Sequence, residues 1–322
     1  MNKIVFFGTP DYVLPVLDTL KNHGYEIAAV VTQPPKLVGR KQILTPSPVA
    51  QWAEKQGIRV IDESPKKIVN TLEELDAEVG ILEAYGRILP LEILNVFPQG
   101  IVNVHPSLLP RWRGASPIEA TIVAGDKVTG VTIIRLDEEI DHGPMLTQFT
   151  EEVRSDDTKI TLRSRLFRKA ADELVRALPL YLEGKLELKE QDHSKVTYTT
   201  LIQKDHGFIP PQYIALALQG DALQGYERYE WLIPFVKNFT LHPSPFTLER
   251  FIRALDPWPG AWTFVKLGSH NAMKQSRLKL LVAHTEKGSI AHLALDTVQH
   301  EGKNPVSWKQ FKEAYPEARF EN

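Results

Sequence analysis

The feature that most constrains the fold is the alternation, through the N-terminal part of the chain, of short apolar runs with amphipathic stretches. Residues 3–7 (KIVFF) read as a buried strand, Gly8-Thr9-Pro10 as a turn, and residues 11–22 as a helix with Val13, Leu14, Leu17 and Leu20 on one face. Residues 27–32 (IAAVVT) are a second strand, followed by a proline-marked loop over 33–48. Helical periodicity returns at 49–56 and 67–75, and strand-like runs at 59–61, 78–82 and 100–104. Strands with so little polar alternation must be covered on both faces, and strands separated by helices pair in parallel. The fold class is therefore α/β, with a Rossmann-like parallel sheet and helices on both faces.

Beyond that sheet the pattern changes. Residues 160–182 carry Leu162, Leu166, Ala170, Leu174, Leu178 and Leu182 at helical spacing, with Pro179 in the last turn. Residues 183–200 are polar and rich in Lys and Glu, a composition that suits a surface linker. From about residue 205, apolar runs at 261–266, 277–283 and 290–295 sit between Gly, Asn and Ser breakers, and a helix over 247–255 leads into them. This predicts a smaller β-rich domain, with boundaries at 1–188, 189–204 and 205–322. At 322 residues, about two domains are expected.

Composition narrows the function. The chain has no cysteine, which excludes disulfides, thiolate metal sites and a Cys nucleophile and suits a reducing cytoplasm. No signal peptide is read at the start, and no apolar run is long enough for a membrane span. The net charge of −2 leaves any nucleic-acid contact to a local patch. One such patch is legible: no acidic residue occurs between Glu26 and Glu54, where Lys36, Arg40 and Lys41 stand among prolines. Residues 205–322, with 13 basic and 12 acidic side chains, show no such bias.

The chemistry concentrates in residues 103–143. Asn103 and His105 close an apolar strand two residues apart, so they point the same way from its carboxyl end, where open α/β sheets bind ligands. A proline-bounded loop with Arg111 and Arg113 follows, then Ser116-Pro117 as the predicted cap and first residue of a helix. A returning strand at 128–135 leads to an acidic loop, LDEEIDHG, that holds Asp141. One amide, one imidazole and one carboxylate suit acyl transfer to an amine. The amide stabilises a developing oxyanion, the imidazole donates or shuttles a proton, and a semi-buried carboxylate assists proton movement.

The string NVHPSLLPRWRGASPIEATIVAGDKVTGVTIIRLDEEIDHGPML closely resembles the catalytic core of the 10-formyltetrahydrofolate-dependent formyltransferases. FFGTPDYVLPVLDTL, VTQPPKLVGRKQILTPSPV and AYGRILP precede it in the family's order, and LDPWPGAW is similar to the start of a C-terminal domain found in the family. The resemblance implies that Asn103, His105 and Asp141 are catalytic. It implies that Ser107, Leu108, Leu109 and Pro110 line the folate and acceptor site. Tyr85, Gly86, Ile88, Leu89, Glu138 and Ile140 would wall the pterin pocket, largely through backbone groups. It further implies 10-formyltetrahydrofolate as co-substrate with no metal, and initiator methionyl-tRNA as acceptor, met by Arg40 and Lys41. An OB-like C-terminal barrel and a monomer complete the expectation.

Three positions depart from the family pattern. Glu83 stands where an apolar residue is expected, Arg87 follows Gly86, and Pro144 follows Gly143. Three other functions stay open on the sequence: an N-formyltransferase of amino-sugar nucleotides, a folate- or RNA-binding module without turnover, and a hydrolase of the formyl donor in which water replaces the amine. A sugar-nucleotide enzyme needs a ribose and pyrophosphate pocket that the sequence does not reveal, and a pure binder has no use for the Asn103, His105 and Asp141 set.

Overall fold

The computed structural model describes residues 2–39, 41–220, 226–268, 273–286 and 291–321. β1 (Lys3–Gly8) leads through a turn of 3-10 helix into α1 (Leu14–Asn22), β2 (Glu26–Val31), β3 (Lys36–Val38), β4 (Ile43–Thr45), α2 (Pro48–Lys55) and β5 (Arg59–Ile61). α3 (Val69–Glu73), β6 (Val79–Glu83), α4 (Leu91–Leu94), β7 (Ile101–His105) and the two-residue β8 (Arg113–Gly114) follow. Next come α5 (Pro117–Ala124), β9 (Val128–Arg135), β10 (Met145–Glu152) and α6 (Lys159–Leu182). The remainder holds β11 (Tyr198–Thr199), α7 (Pro211–Gln219), β12 (Trp231–Leu232), β13 (Thr240–Leu241) and α8 (Pro245–Leu255). It ends with β14 (Ala261–Leu267), β15 (Lys274–Glu286), β16 (His292–His300), β17 (Val306–Ser307) and α9 (Trp308–Ala314). Contacts divide the chain into a first unit, Met1–Arg113, Val128–Glu152 and Arg163–Val196, and a second, Gly114–Lys127, Val153–Leu162 and Thr197–Asn322.

The first unit is built on a seven-stranded sheet of order β10-β9-β7-β6-β1-β2-β5. The neighbours from β7 to β5 pair in parallel, as the apolar runs predict. β9 runs antiparallel to β7, and β10 antiparallel to β9. Apolar periodicity gives a strand's faces and not its direction, which is why this edge was not legible in the sequence. One face is packed by Phe7, Tyr85, Phe97, Ile93, Leu72 and Ile101, with Phe7 meeting Tyr85 and Phe97 edge-on at 5.9 and 6.0 Å. Asn103 and His105 stand further along β7 on the same face as Ile101. α6 continues through Pro179 to Leu182 and buries Leu162, Leu166, Ala170, Leu174 and Leu178 of the stripe that the sequence assigns to it, with Leu182 half-buried.

Two local readings are corrected. The loop expected at 33–48 contains a hairpin, β3 paired antiparallel with β4, closed where the Gln42 amide donates to the Gly39 carbonyl. Its apolar side chains, Leu37, Val38, Ile43 and Leu44, are 54–64% exposed, so no core burial marked it as sheet. Lys41 lies exposed in its turn, and Arg40 lies outside the described residues. Ser116 does stand at the start of α5 but makes no cap bond; its hydroxyl donates to the Thr200 carbonyl instead.

In the second unit α5 packs on α8, and Arg250 Nε donates to the Val123 carbonyl. A four-stranded antiparallel sheet, β14-β15-β16-β17, forms the β-rich part. Phe208 and Arg319 bridge onto β14 at Trp262 and Lys266, in addition to its pairing with β15. The segment at 208–245, unassigned in the sequence, supplies α7 and an aromatic cluster in which Trp231 meets Phe251 at 4.5 Å. Trp258 is 55% exposed, while Trp262 is half-buried under the Arg277 guanidinium at 3.8 Å. Among the described residues no helix is long and apolar enough to cross a membrane.

Glu83 ends β6 fully buried, with neither carboxylate oxygen hydrogen-bonded. Because Leu82 is the register partner of Asn103, Glu83 points to the opposite face of the sheet. Arg87, its nearest candidate partner in sequence, donates to the Glu63 carbonyl instead. Burial alone pushes the Glu83 carboxyl well above the usual carboxylate range, so the folded chain holds a proton that the unfolded chain releases. Its contribution is fully present below the unfolded value of about 4.3 and is lost as pH rises towards the folded value. Glu83→Leu is expected to raise the melting temperature at neutral pH and to flatten this decline. Urea unfolding of both proteins across the pH range checks it, and parallel pH slopes would refute it.

Candidate active site

The site is set by β7. Its strand character comes from an apolar run, IVNVH, that is buried throughout, so the two polar side chains are carried into the interior by their neighbours. Asn103 and His105 are 6% and 4% exposed. Pairing with β9 places Thr132 opposite His105 and Ile134 opposite Asn103. The loop after β9 then turns back far enough for Asp141 to meet both. Asn103 Nδ2 donates to Asp141 Oδ1 at 3.1 Å, and His105 Nδ1 lies 3.5 Å from Asp141 Oδ2. Three residues separated by up to 38 positions thus form one cluster.

The imidazole has a defined orientation. His105 Nε2 lies 3.0 Å from the Trp112 carbonyl, which can only accept, so Nε2 carries a proton. The nitrogen facing Asp141 is therefore Nδ1. Trp112 presents that carbonyl from a left-handed conformation (φ +62°) that is strained for a bulky residue and is held by near-complete burial. Arg111 stacks over the Trp112 ring at 4.1 Å. Asp141 is also left-handed (φ +50°), which a short polar side chain tolerates better.

The loop between β7 and α5 is pinned to the sheet by residues that the sequence did not single out. Thr132 Oγ1 donates to the Ser107 carbonyl at 2.7 Å and accepts from the Leu109 amide at 3.0 Å. Gln148 Nε2 donates to Thr132 Oγ1 and to the Leu109 carbonyl. Ser107 Oγ donates to the Arg111 carbonyl at 2.6 Å, so its hydroxyl closes the loop. Ser107 and Leu109 are buried within this loop instead of lining open space, whereas Leu108 and Pro110 are half-buried. Leu108 reaches Gly130 of β9.

The segment after β6 is held in a comparable way. The Tyr85 carbonyl accepts from Thr9 Oγ1 and Gln33 Nε2, both at 3.0 Å, while the Tyr85 ring is sunk in the core. A side chain at Gly86 would adopt a strained φ of +78° and put Cβ 2.5 Å from Gln33 Nε2, displacing the amide that holds the Tyr85 carbonyl. Beyond it Ile88 is 80% exposed and Leu89 half-buried, while in the Asp141 loop Glu138 is exposed and Ile140 is 57% exposed. A cavity of about 480 Å³ is lined by Leu91, Leu94 and Phe97 on one side and Arg135, Leu136 and Glu138 on the other. Of the two segments expected to wall a pterin pocket, the one around Leu136–Glu138 lines this cavity; residues 84–90 do not.

His142 Nδ1 pairs with Asp137 Oδ2 at 2.7 Å and its ring stacks on His193 at 4.2 Å. Among the described residues no three His, Asp or Glu side chains gather as metal ligands. The segment read as a linker is bonded to the first unit: Lys189 pairs with Met145, and Gln191 is 4% exposed. No pattern marks Gln191, a single amide in a polar stretch.

The profile of the formyl transferase family matches residues 1–178. The chain is 38% identical over 265 residues to a methionyl-tRNA formyltransferase of Chloroflexus aggregans, an overlap covering 81% of this chain and 76% of that one. Methionyl-tRNA formyltransferase from Clostridium thermocellum superposes with a TM-score of 0.52 at 16% identity, covering 92% of this chain and 99% of that one. HypX from Aquifex aeolicus in complex with tetrahydrofolic acid gives a TM-score of 0.61 at 15% identity, covering 98% of this chain and 48% of that one. At such identities these structures speak for the fold alone. The family match and the 38% identity across 81% of the chain are decisive: this protein belongs to the formyl transferase family, beside the methionyl-tRNA formyltransferases.

Proposed function

We propose that the chain moves the formyl group of 10-formyltetrahydrofolate to the α-amine of methionyl initiator tRNA, as a cytoplasmic monomer serving translation initiation. The observation that carries this reading is the meeting of Asn103, His105 and Asp141 at the end of β7, in a chain whose relatives bear the name methionyl-tRNA formyltransferase.

The residues present fit a reduced folate. Ile88 and Ile140, in the segments after β6 and β9, offer exposed apolar side chains against which a pterin ring could pack. Gly86, Ile88, Leu89, Glu138 and Ile140 would hold the pterin, with Leu108 and Pro110 towards the acceptor. Tyr85, Ser107 and Leu109 would support them from within the fold. When bound, 10-formyltetrahydrofolate supplies a formyl carbon open to attack by a neutral amine and a nitrogen able to leave.

The chain's own groups divide the remaining work. One hydrogen of the Asn103 amide is used on Asp141, and the other is available to the oxygen on which charge develops. His105 keeps its Nε2 proton on the Trp112 carbonyl, so proton exchange falls to Nδ1. Asp141 lies 3.5 Å from Nδ1, close enough to stabilise the imidazolium. Residues 1–188 carry this chemistry in our reading, and 205–322 meets the tRNA, where exposed Trp258 and Lys274 are suitable contacts. Arg40 and Lys41, in the acid-free stretch of sequence between Glu26 and Glu54, would meet acceptor-stem phosphates.

Asn103→Ala and His105→Ala are each expected to lower kcat by about 10²- to 10³-fold, the scale of losing one oxyanion donor. Formyl transfer to charged initiator tRNA measures this, and near-normal turnover in both variants would remove the proposed mechanism. Lys41→Ala should raise the KM for tRNA, spare the KM for folate, and reduce the salt dependence of tRNA affinity by about one phosphate contact. An unchanged kcat/KM for tRNA across salt concentrations would refute the hairpin's role.

A further inference from the structure

Asp141 rides on a loop whose neighbours Glu138, Glu139 and Ile140 are all exposed, yet its carboxylate must stay within reach of two buried side chains on β7. The contacts that hold it come from a distant stretch of the chain. Gln191 Nε2 donates to the Asp141 carbonyl and to the Gly143 carbonyl, each at 2.9 Å. Its Oε1 accepts from Arg113 Nη2 at 2.7 Å and Nε at 3.2 Å. Both amide hydrogens and the amide oxygen are therefore used in a side chain that is 4% exposed. The amide has only one workable orientation, since a flip would set its oxygen against two carbonyls and its NH₂ against a guanidinium.

The support continues outward. Arg113 is 2% exposed, and its Nη2 also lies 2.8 Å from His193 Nδ1, which must be the unprotonated ring nitrogen because a guanidinium only donates. His193 stacks in turn on His142, next to Asp141. The backbone before Gln191 is fixed by the Lys189–Met145 pair, with amide-to-carbonyl distances of 2.8 and 3.0 Å. At Gly143 a Cβ would lie 1.9 Å from the Arg135 carbonyl, so the loop closes against β9 with no room to spare. Trp112 and Arg113 thus serve both titratable members of the site from consecutive positions. The Trp112 carbonyl orients His105 directly, and the Arg113 guanidinium orients Asp141 through Gln191.

We propose that Gln191, held by Arg113, is a positioning residue for formyl transfer: it fixes the Asp141 backbone so that the carboxylate faces Asn103 and His105. This rests on the reading of those three residues as the catalytic set. Neither Gln191 nor Arg113 touches the reacting atoms in this assignment. Their effect is on geometry, where displacement of a catalytic group by about 1 Å costs on the order of 10²-fold in rate.

The test compares Gln191→Leu, Gln191→Glu and Asn103→Ala with the wild-type chain in formyl transfer, thermal melting and ¹⁵N NMR of His105. Gln191→Leu removes every bond of the amide. Gln191→Glu keeps an acceptor for Arg113 but turns a carboxylate oxygen towards the two loop carbonyls, so it separates support of the fold from positioning of Asp141. The expected result is a kcat loss on the order of 10²-fold in both Gln191 variants. The KM for 10-formyltetrahydrofolate should stay near the wild-type value, and the His105 Nδ1 resonance should move. Gln191→Glu, which keeps the Arg113 contact, should melt below the wild type but above Gln191→Leu. Wild-type kcat and an unmoved His105 signal in Gln191→Glu would overturn the proposal, as would a kcat loss no larger than the loss of folded protein. If Gln191→Leu does not fold, Gln191→Glu still decides. If Asn103→Ala keeps wild-type turnover, the catalytic reading itself fails and takes this inference with it. A large Asn103→Ala loss beside unaffected Gln191 variants overturns the inference alone.

Discussion

The contact between Asp141 and β7 is the interaction on which the site depends. Asn103 and His105 are fixed by a buried strand whose neighbours on both sides are sheet, so their positions follow from the core. Asp141 has no such foundation. It stands in a left-handed conformation on a loop with exposed neighbours, and only specific hydrogen bonds keep it opposite the amide and the imidazole. Much of the local polar structure answers this one requirement. Thr132 and Gln148 fix the loop that carries Trp112 and Arg113, and that loop then reaches His105 from one side and, through Gln191, Asp141 from the other.

The same region shows why buried polar groups here are paired and where they are not. Arg113, Gln191, Ser107 and Thr132 are all nearly or fully buried, and each has partners suited to its donors and acceptors. An unpaired member would cost about 1–3 kcal/mol, so the network either forms as a whole or destabilises its surroundings. Glu83 is one exception and the Tyr85 hydroxyl another. Glu83 lies at the end of the neighbouring strand but on the opposite face of the sheet, and burial raises its carboxyl well above the usual carboxylate range. The departure of Glu83 from the family pattern thus bears on stability and leaves the polarity around Asn103 unaltered.

Much of the fold was legible because burial writes itself into composition. The runs around Phe6, Val30, Ile81 and Val102 have no solvent face to alternate with, and each is a central strand. The leucine stripe of α6 was equally plain. What could not be read were features without a burial signal: the exposed β3–β4 hairpin, the antiparallel direction of β9, and α7 within an aromatic segment. At the site, Asn103 and His105 were legible from their i, i+2 spacing at the end of an apolar run, and Asp141 only through family resemblance. Gln191 was not legible at all. It lies 78 residues from Arg113 and 50 from Asp141 in a stretch whose composition resembles a linker, and only the folded chain brings the three together.

In the proposed reading this arrangement serves transfer to an amine carried on tRNA. The most direct measurement gives the wild-type protein labelled 10-formyltetrahydrofolate under single-turnover conditions, with charged initiator tRNA, an amino-sugar nucleotide or no acceptor. The label should pass to the methionine amine, with little to the sugar and little released as formate. Label found only on the sugar amine, or released as formate at the same rate whether or not tRNA is present, would contradict the claim.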